Sequence, residues 1–262
     1  MDRCFVRQVF SLDPYLGNLA SVYLCTQLTE YEDTKFLQAV AISNASPATA
    51  FVFVNDTGPH LIRWFSPHSE IQFCGHATLA AADVLKSLLS IHQNKQYFQA
   101  KNHKICITHK TAEQYVMHLP QAQLEPSSPS DAILETLNAK AISLKQTQPK
   151  DGYLIVQLQD KDKILNFDFD EAKFSQLTRR ALLVTSVEAQ EPKSVYFRYF
   201  APQYGFKEDP ATGSAGPLLA AFWRLPVNQI YNCYQLSSKG AYYQVSHNQS
   251  TVCIYGHVRQ PR

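Results

Sequence analysis

The sequence lacks an excess of charge of either sign and has no long hydrophobic run. Its 24 lysines and arginines nearly balance its 22 aspartates and glutamates, which leaves a net charge of +2. This charge is too small for the basic surface of a dedicated nucleic-acid-binding protein. No apolar stretch approaches the roughly 20 residues of a membrane-spanning helix, and the first residues lack a secretory signal. We therefore expect a cytoplasmic protein that binds neither nucleic acid nor membranes.

Cysteine is too sparse to form a disulfide framework. The six cysteines are spread over 262 residues, unlike the dense pattern of small secreted domains, so we expect reduced thiols. Cys106 and His109 resemble a short metal-binding spacing, but they lie in a segment that alternates like a strand. Their odd separation points the side chains to opposite faces, so we expect no metal site.

The composition and length predict a folded protein of about two domains. Apolar residues make up 45% of the chain and charged residues only 18%, which excludes intrinsic disorder. At about 150 residues per domain, the length favours two domains. A polar stretch at 121–130 contains two prolines and is typical of a linker. We predict domains at 1–122 and 123–262, with the last strand allowed to return to the first domain.

Strand-like segments outnumber helical ones, which indicates an α+β protein whose sheets curl around helices. The predicted strands, rich in Val, Ile, Tyr and Phe, are 5–10, 21–25, 50–54, 61–65, 104–108, 114–119, 153–158, 194–200, 242–246 and 251–256. Apolar residues at helical spacing predict helices at 77–89, from 214 to just before Pro226, and at 33–43, 130–137 and 169–177.

An internal repeat is the most informative feature of the chain. The sequence Arg-Trp-Phe-Ser-Pro at 63–67 recurs as Arg-Tyr-Phe-Ala-Pro at 198–202. Each copy leads into a turn and an alanine-rich helix. The same order in both halves predicts a duplication, and therefore two pseudo-symmetric domains.

The small-residue turns before the two repeated helices are candidate anion sites. Helix N-termini bind anions through oriented N–H groups and the positive end of the helix dipole. Gly75 opens one turn, and Gly213 and Ser214 open the other, which would suit a small carboxylate. In the alternative interpretation, Thr78, Thr212 and Ser214 simply cap the helices.

Each turn also carries ionisable side chains. Cys74 and His76 occupy the first turn, and Glu208 and Asp209 occupy the second. An imidazole and a carboxylate presented by two facing domains could pass a proton across a substrate. A single histidine is usually structural, and an aspartate before proline is usually a turn residue. Their place in the repeat favours the catalytic interpretation.

Four motifs make the sequence resemble the PhzF family of phenazine-biosynthesis-like isomerases, which has the diaminopimelate-epimerase-like fold. They are Gly-Asn at 17–18, Pro-Ala-Thr-Ala-Phe at 47–51, Phe-Cys-Gly-His-Ala-Thr at 73–78 and Glu-Asp-Pro-Ala-Thr-Gly-Ser-Ala at 208–215. The resemblance implies two domains, each a β-barrel-like sheet wrapped around a central helix, with the active site in the cleft between them. It also implies a homodimer and a cofactor-free isomerisation of a cyclic hydroxy-amino acid such as dihydro-hydroxyanthranilate.

The resemblance assigns roles to individual residues. His76 and Asp209 match the proton-shuttling His and Asp of the family. The positions that match its substrate-binding residues are Gly17, Asn18, Gly75, Gly213 and Ser214.

The chain departs from the family at Ala48, which stands where the family has its general-base Glu. A methyl group cannot accept a proton, and a general base contributes roughly 10²–10⁴-fold to a rate. Three explanations remain open. Cys74, at the position of the first catalytic thiol of related racemases, acts as the base; the chain is catalytically impaired and binds a small molecule or a protein; or Ala48 was introduced deliberately. In the racemase comparison, Pro210 occupies the place of the second thiol.

Overall fold

The chain divides into two compact units. The computed structural model describes residues 3–89, 94–205 and 207–261. The first unit comprises Met1–Leu119 and Cys253–Arg262, and the second comprises Pro120–Val252. Within the described ranges, no helix is long and apolar enough to cross a membrane.

Strands provide most of the regular structure. In chain order they are β1 (Cys4–Val9), β2 (Asn18–Cys25), β3 (Ala48–Phe53), β4 (His60–Phe65), β5 (Glu70–Ile71), β6 (Lys95–Gln99), β7 (Lys104–His109), β8 (Gln114–Pro120), β9 (Glu125–Pro126), β10 (Ser143–Gln146), β11 (Tyr153–Gln157), β12 (Ala181–Val187), β13 (Ser194–Phe200), β14 (Tyr231–Gln235), β15 (Ala241–His247) and β16 (Thr251–Arg259).

The helices are fewer and mostly short. They are α1 (Leu28–Glu32), α2 (Thr34–Asn44), α3 (Gly75–Leu89), α4 (Asp131–Thr136), α5 (Lys161–Leu165), α6 (Glu171–Leu177) and α7 (Ala215–Trp223), with a 3-10 turn at Pro202–Tyr204.

In the first unit, a closed sheet surrounds α3. The strand order is β1-β2-β3-β4-β6-β7-β8-β16, and β16 pairs back with β1. Helix α3 packs against β1, β2 and β3. On its other sides, Gln96 on β6 donates to the Ala82 carbonyl at 3.2 Å, and the Tyr115 hydroxyl on β8 donates to Asp83 at 2.6 Å. Small alanine side chains suit this position because they let the surrounding strands approach closely.

In the second unit, the central helix is α7. The strands follow the order β9-β10-β11-β12-β13-β14-β15. Helix α7 packs against β15, the Trp223 indole donates to the Thr185 hydroxyl on β12 at 3.1 Å, and Lys145 on β10 donates to the Phe222 carbonyl at 3.2 Å. Most of its residues are buried, as expected for a helix that is apolar on all sides. The predicted α+β class is confirmed.

The predicted helices all have counterparts, whereas several strands were missed. Strands β6, β10, β12 and β14 lie outside the predicted segments, as do the short strands β5 and β9. Strand β9 falls inside the polar stretch for which the sequence predicts a linker. Helices α1 and α5, of five residues each, are too short to show a helical period.

Candidate active site

His76 is a buried, neutral imidazole at the start of α3. It is only 7% exposed, and Cys74 Sγ lies 3.4 Å from its Nδ1. Burial lowers the pKa of His76 to about 4, although a hydrogen bond with the Leu19 backbone acts in the opposite direction. Burial has this effect because a low-dielectric environment disfavours the charged form of an imidazole. His76 is therefore uncharged at neutral pH and able to accept a proton.

The turn at Gly17 and Asn18 lies beside His76. Gly17 has φ +66°, and a Cβ there would come within 2.1 Å of the Val9 carbonyl oxygen, so only glycine fits. Asn18 is buried, and its Oδ1 accepts from the Leu19 N–H at 2.9 Å. Because the Leu19 backbone also bonds His76, the structure brings this predicted pair of residues to the imidazole.

Ala48 begins the strand next to this turn. Strands β2 and β3 run parallel, with Ala20 opposite Ala48, so Asn18 and Ala48 lie at the same end of neighbouring strands. Ala48 is 1% exposed. The place that the resemblance assigns to a carboxylate therefore holds a buried methyl group near the turn that contacts His76.

The hydroxyl groups at the two helix starts do not act as caps in the described structure. Thr78 donates backwards to the Cys74 carbonyl at 2.7 Å. Thr212 donates to Asp209 Oδ2 at 2.7 Å, and Ser214 makes no side-chain cap hydrogen bond. The alternative interpretation, in which these residues only cap helices, therefore finds no support in the structure.

In the second unit, Asp209 is held in one orientation above the start of α7. Its carboxylate accepts from the Thr212 hydroxyl at 2.7 Å and from the Ala211 N–H at 3.3 Å. The Asp209 N–H donates to the Tyr199 carbonyl at 3.1 Å, and Gln235 donates to the Asp209 carbonyl. Contacts on both backbone and side chain fix the orientation of this carboxylate.

Glu208 has a structural partner instead. Arg198 binds both of its oxygens, at 2.7 and 3.0 Å, and also donates to the Phe167 carbonyl at 2.7 Å. In the first unit, Arg63 binds both oxygens of Glu70, at 2.8 and 2.9 Å. The repeated arginine is thus explained by a bidentate carboxylate pair in each unit, a geometry that suits the guanidinium group.

Tyr153 and Tyr199, which the sequence analysis did not single out, contact Ser214 and Asp209. Tyr153 is hydrogen-bonded to Ser214 and to Tyr199, and the two tyrosine rings are 6.1 Å apart. Burial raises the pKa of Tyr199 well above its usual value, and the charge on Asp209 adds to this effect. In the repeated motif, Tyr199 stands directly after the arginine, where the first copy has Trp64. This aromatic position within the repeat is the one sequence signal that could have identified Tyr199.

Comparison with known proteins identifies the relatives of this chain. A family model described as phenazine biosynthesis-like protein, PhzC-PhzF, matches residues 7–260. An uncharacterised isomerase of Pseudomonas aeruginosa is 33% identical over 219 residues, covering 84% of this chain and 80% of the relative.

Solved structures show the same fold. A PhzF family protein of Enterococcus faecalis superposes with a TM-score of 0.84 at 26% identity, covering 98% of this chain and 95% of that one. A predicted epimerase of Pseudomonas aeruginosa superposes with a TM-score of 0.74 at 16% identity, covering 100% and 98% of the two chains. The fold is the diaminopimelate-epimerase-like fold that the motifs implied.

Proposed function

The chain belongs to the PhzC-PhzF family of phenazine biosynthesis-like proteins, and from this premise we propose that it is an isomerase that moves protons on a small carboxylic acid without a cofactor. The substrate class is a cyclic hydroxy-amino acid of the dihydro-hydroxyanthranilate type, or a related hydroxy or amino acid. The proposed proton-transfer groups are His76 and Asp209.

The observation that carries the proposal is the placement of His76 at the start of α3, where its ring lies 3.4 Å from Cys74 Sγ and bonds the Leu19 backbone beside Asn18. Burial lowers the pKa of this histidine to about 4, so at pH 7 the ring is neutral and has a lone pair that can receive a proton from a substrate carbon. Asp209, held by Thr212 and Ala211, would exchange a proton with another atom of the same substrate. General acid–base catalysis requires such a positioned donor and acceptor.

The substrate carboxylate would bind at the helix starts. Gly75 in the first unit, and Gly213 and Ser214 in the second, precede or begin the two central helices. Backbone N–H groups and the helix dipole favour an anion there. Gly17 and Asn18 complete the proposed binding residues, because their turn adjoins His76.

Ala48 determines how fast this isomerase can be. We propose that His76, with Cys74 Sγ at 3.4 Å, takes over proton acceptance from the missing carboxylate. An imidazole of such low pKa is a weak base, so we expect the rate to fall below that of Ala48→Glu by up to about 10²–10⁴-fold.

A second candidate function rests on the same residue. The buried methyl group of Ala48 would suit a protein that keeps the fold and the carboxylate site but only binds its ligand. Such a protein would be stabilised by the ligand and would exchange no protons.

Turnover of single variants tests the proposal. Substrate isomerisation is followed by proton NMR with the wild type, His76→Asn and Asp209→Asn, using a panel of cyclic hydroxy-amino acids. His103→Asn and Asp168→Asn, which replace exposed residues of the same types, are the matched controls. We expect both site variants to lose turnover while their thermal midpoints and both controls stay close to the wild type. Full activity in both site variants would refute the proposal.

The assembly is part of the same proposal. The resemblance implies a homodimer of chains whose halves, 1–122 and 123–262, are duplicated domains. Analytical ultracentrifugation should give twice the chain mass of 29.7 kDa, and a sedimenting monomer at micromolar concentration would contradict the dimer.

A further inference from the structure

A cysteine, a histidine and a threonine form a hydrogen-bonded chain across three neighbouring strands of the closed sheet. Cys253 Sγ, on β16, lies 3.5 Å from His118 Nδ1, on β8. The other ring nitrogen, His118 Nε2, lies 2.8 Å from the Thr108 hydroxyl, on β7. None of these residues takes part in the proposed isomerase site.

These three hydrogen-bonded side chains lie on the outer face of the sheet, where Cys253 is partly exposed to solvent. Along β16, Val252 and Ile254 are buried, whereas Cys253 and Tyr255 are partly exposed. Since side chains alternate between the faces of a strand, Cys253 points away from α3. The residue is therefore partly exposed to solvent on that face.

The surroundings of His118 keep its ring neutral. Burial lowers the pKa of His118, and the charges of Lys95 and Lys110 lower it further. At pH 7 one ring nitrogen therefore keeps a lone pair, which can receive the thiol proton as the sulfur attacks. The other titratable groups that the described strands place on this face are Tyr97 on β6, Lys104 and Cys106 on β7, and Tyr255, His257 and Arg259 on β16.

Thr108 fixes which ring nitrogen faces the sulfur. When Nε2 carries the hydrogen and donates it to the Thr108 oxygen, Nδ1 has a free lone pair for the proton of Cys253. A nucleophile, a base and an orienting group in sequence form the arrangement that activates cysteine nucleophiles in general.

We propose that Cys253 is a nucleophilic thiol, activated by His118 and oriented through Thr108, and that it forms a site of covalent modification by low-molecular-weight disulfides. The Cys253 proton passes to His118 Nδ1, and the thiolate attacks one sulfur of the disulfide. A new S–S bond forms as the old one breaks, and the departing thiolate takes the proton from His118. No further oxidant is required, because the small disulfide is itself reduced.

The test measures the reactivity of each cysteine in the intact protein. Brief treatment with limiting iodoacetamide, followed by peptide mass spectrometry, gives alkylation rates from pH 6 to 9, and oxidised glutathione gives the sites of mixed-disulfide formation. Cys4 is the internal control, because it is exposed and its thiol donates to the Asn44 side-chain oxygen at 3.5 Å rather than to an imidazole. We expect Cys253 to react about threefold faster than Cys4 at pH 7, because His118 removes the thiol proton as the sulfur attacks.

Variants separate the mechanism from simple exposure. His118→Asn should slow Cys253 by about threefold and shift its pH profile to higher pH, while Cys4 keeps its rate. Thr108→Val should have a smaller effect in the same direction, and Thr108→Ser should keep the wild-type profile. Equal rates for Cys253 and Cys4 in the wild type would overturn the proposal without any variant. An unchanged Cys253 profile in a folded His118→Asn protein would overturn it as well.

Discussion

Acidification should destabilise the protein through His76, by an amount that follows from its burial. Its pKa in the folded protein is about 4, against 6.5 for an unperturbed histidine, so the unfolded chain binds the proton more tightly. The stability due to the neutral imidazole is fully present above pH 6.5 and is lost as the pH falls toward 4. The lowering of the pKa corresponds to about 3 kcal/mol in total. About 2 kcal/mol of this should be lost between pH 7 and pH 5.

Urea unfolding of the wild type and of His76→Asn at pH 7, 6 and 5 isolates this contribution. Other groups titrate in the same range, but they are common to both proteins and cancel in the difference. Comparing the slopes of the two denaturation curves, and comparing circular dichroism with tryptophan fluorescence, checks that one cooperative transition is measured. We expect the wild type to lose about 2 kcal/mol more than the variant. Equal losses in the two proteins would show that His76 is not a buried neutral residue.

Two further predictions concern the frame around α3. Gly17→Ala should destabilise the protein by about 2 kcal/mol, because it places a side chain at φ +66° against the Val9 carbonyl. The control is Gly58→Ala, whose new methyl group meets only a movable side chain at 3.2 Å and should change stability by less than about 0.5 kcal/mol. Asp83→Asn should destabilise the protein by roughly 3 kcal/mol, because it removes the carboxylate 2.5 Å from the buried guanidinium of Arg7. Thermal unfolding measures all three variants, and a stability change below about 1 kcal/mol in Gly17→Ala or Asp83→Asn would contradict the packing described.

The parts of the fold that the sequence predicted well are those with a strong local pattern. Helices α3 and α7 show apolar residues at helical spacing, and their alanine content indicated close packing before any strand was placed around them. Strand β6, with the sequence Lys-Gln-Tyr-Phe-Gln, carries too little apolar alternation to be recognised. Its position beside α3 follows from backbone pairing with β4 and β7 and from a side-chain bond from Gln96 to the helix, none of which a local pattern reveals.

The candidate site shows the same division between local and long-range information. His76 and Asp209 could be identified from short motifs in a repeat. Two groups that bind the Asp209 carboxylate lie within three residues of it, whereas its backbone partners, Tyr199 and Gln235, are distant in the sequence. Tyr153 reaches Ser214 from a strand about 60 residues earlier in the chain. The burial that keeps His76 neutral is likewise a property of the assembled unit. Such contacts follow from tertiary packing, which the spacing of residues in one sequence does not specify.

Deuterium wash-in tests the central claim most directly. Dihydro-hydroxyanthranilate and a panel of small hydroxy and amino acids are incubated in D₂O with the wild type, with Ala48→Glu and with His76→Asn, and the loss of carbon-bound protons is followed by NMR. We predict exchange by the wild type, faster exchange by Ala48→Glu and none by His76→Asn. Exchange by Ala48→Glu alone would contradict the claim that His76 replaces the missing carboxylate, and would leave ligand binding as the function of the chain as it stands.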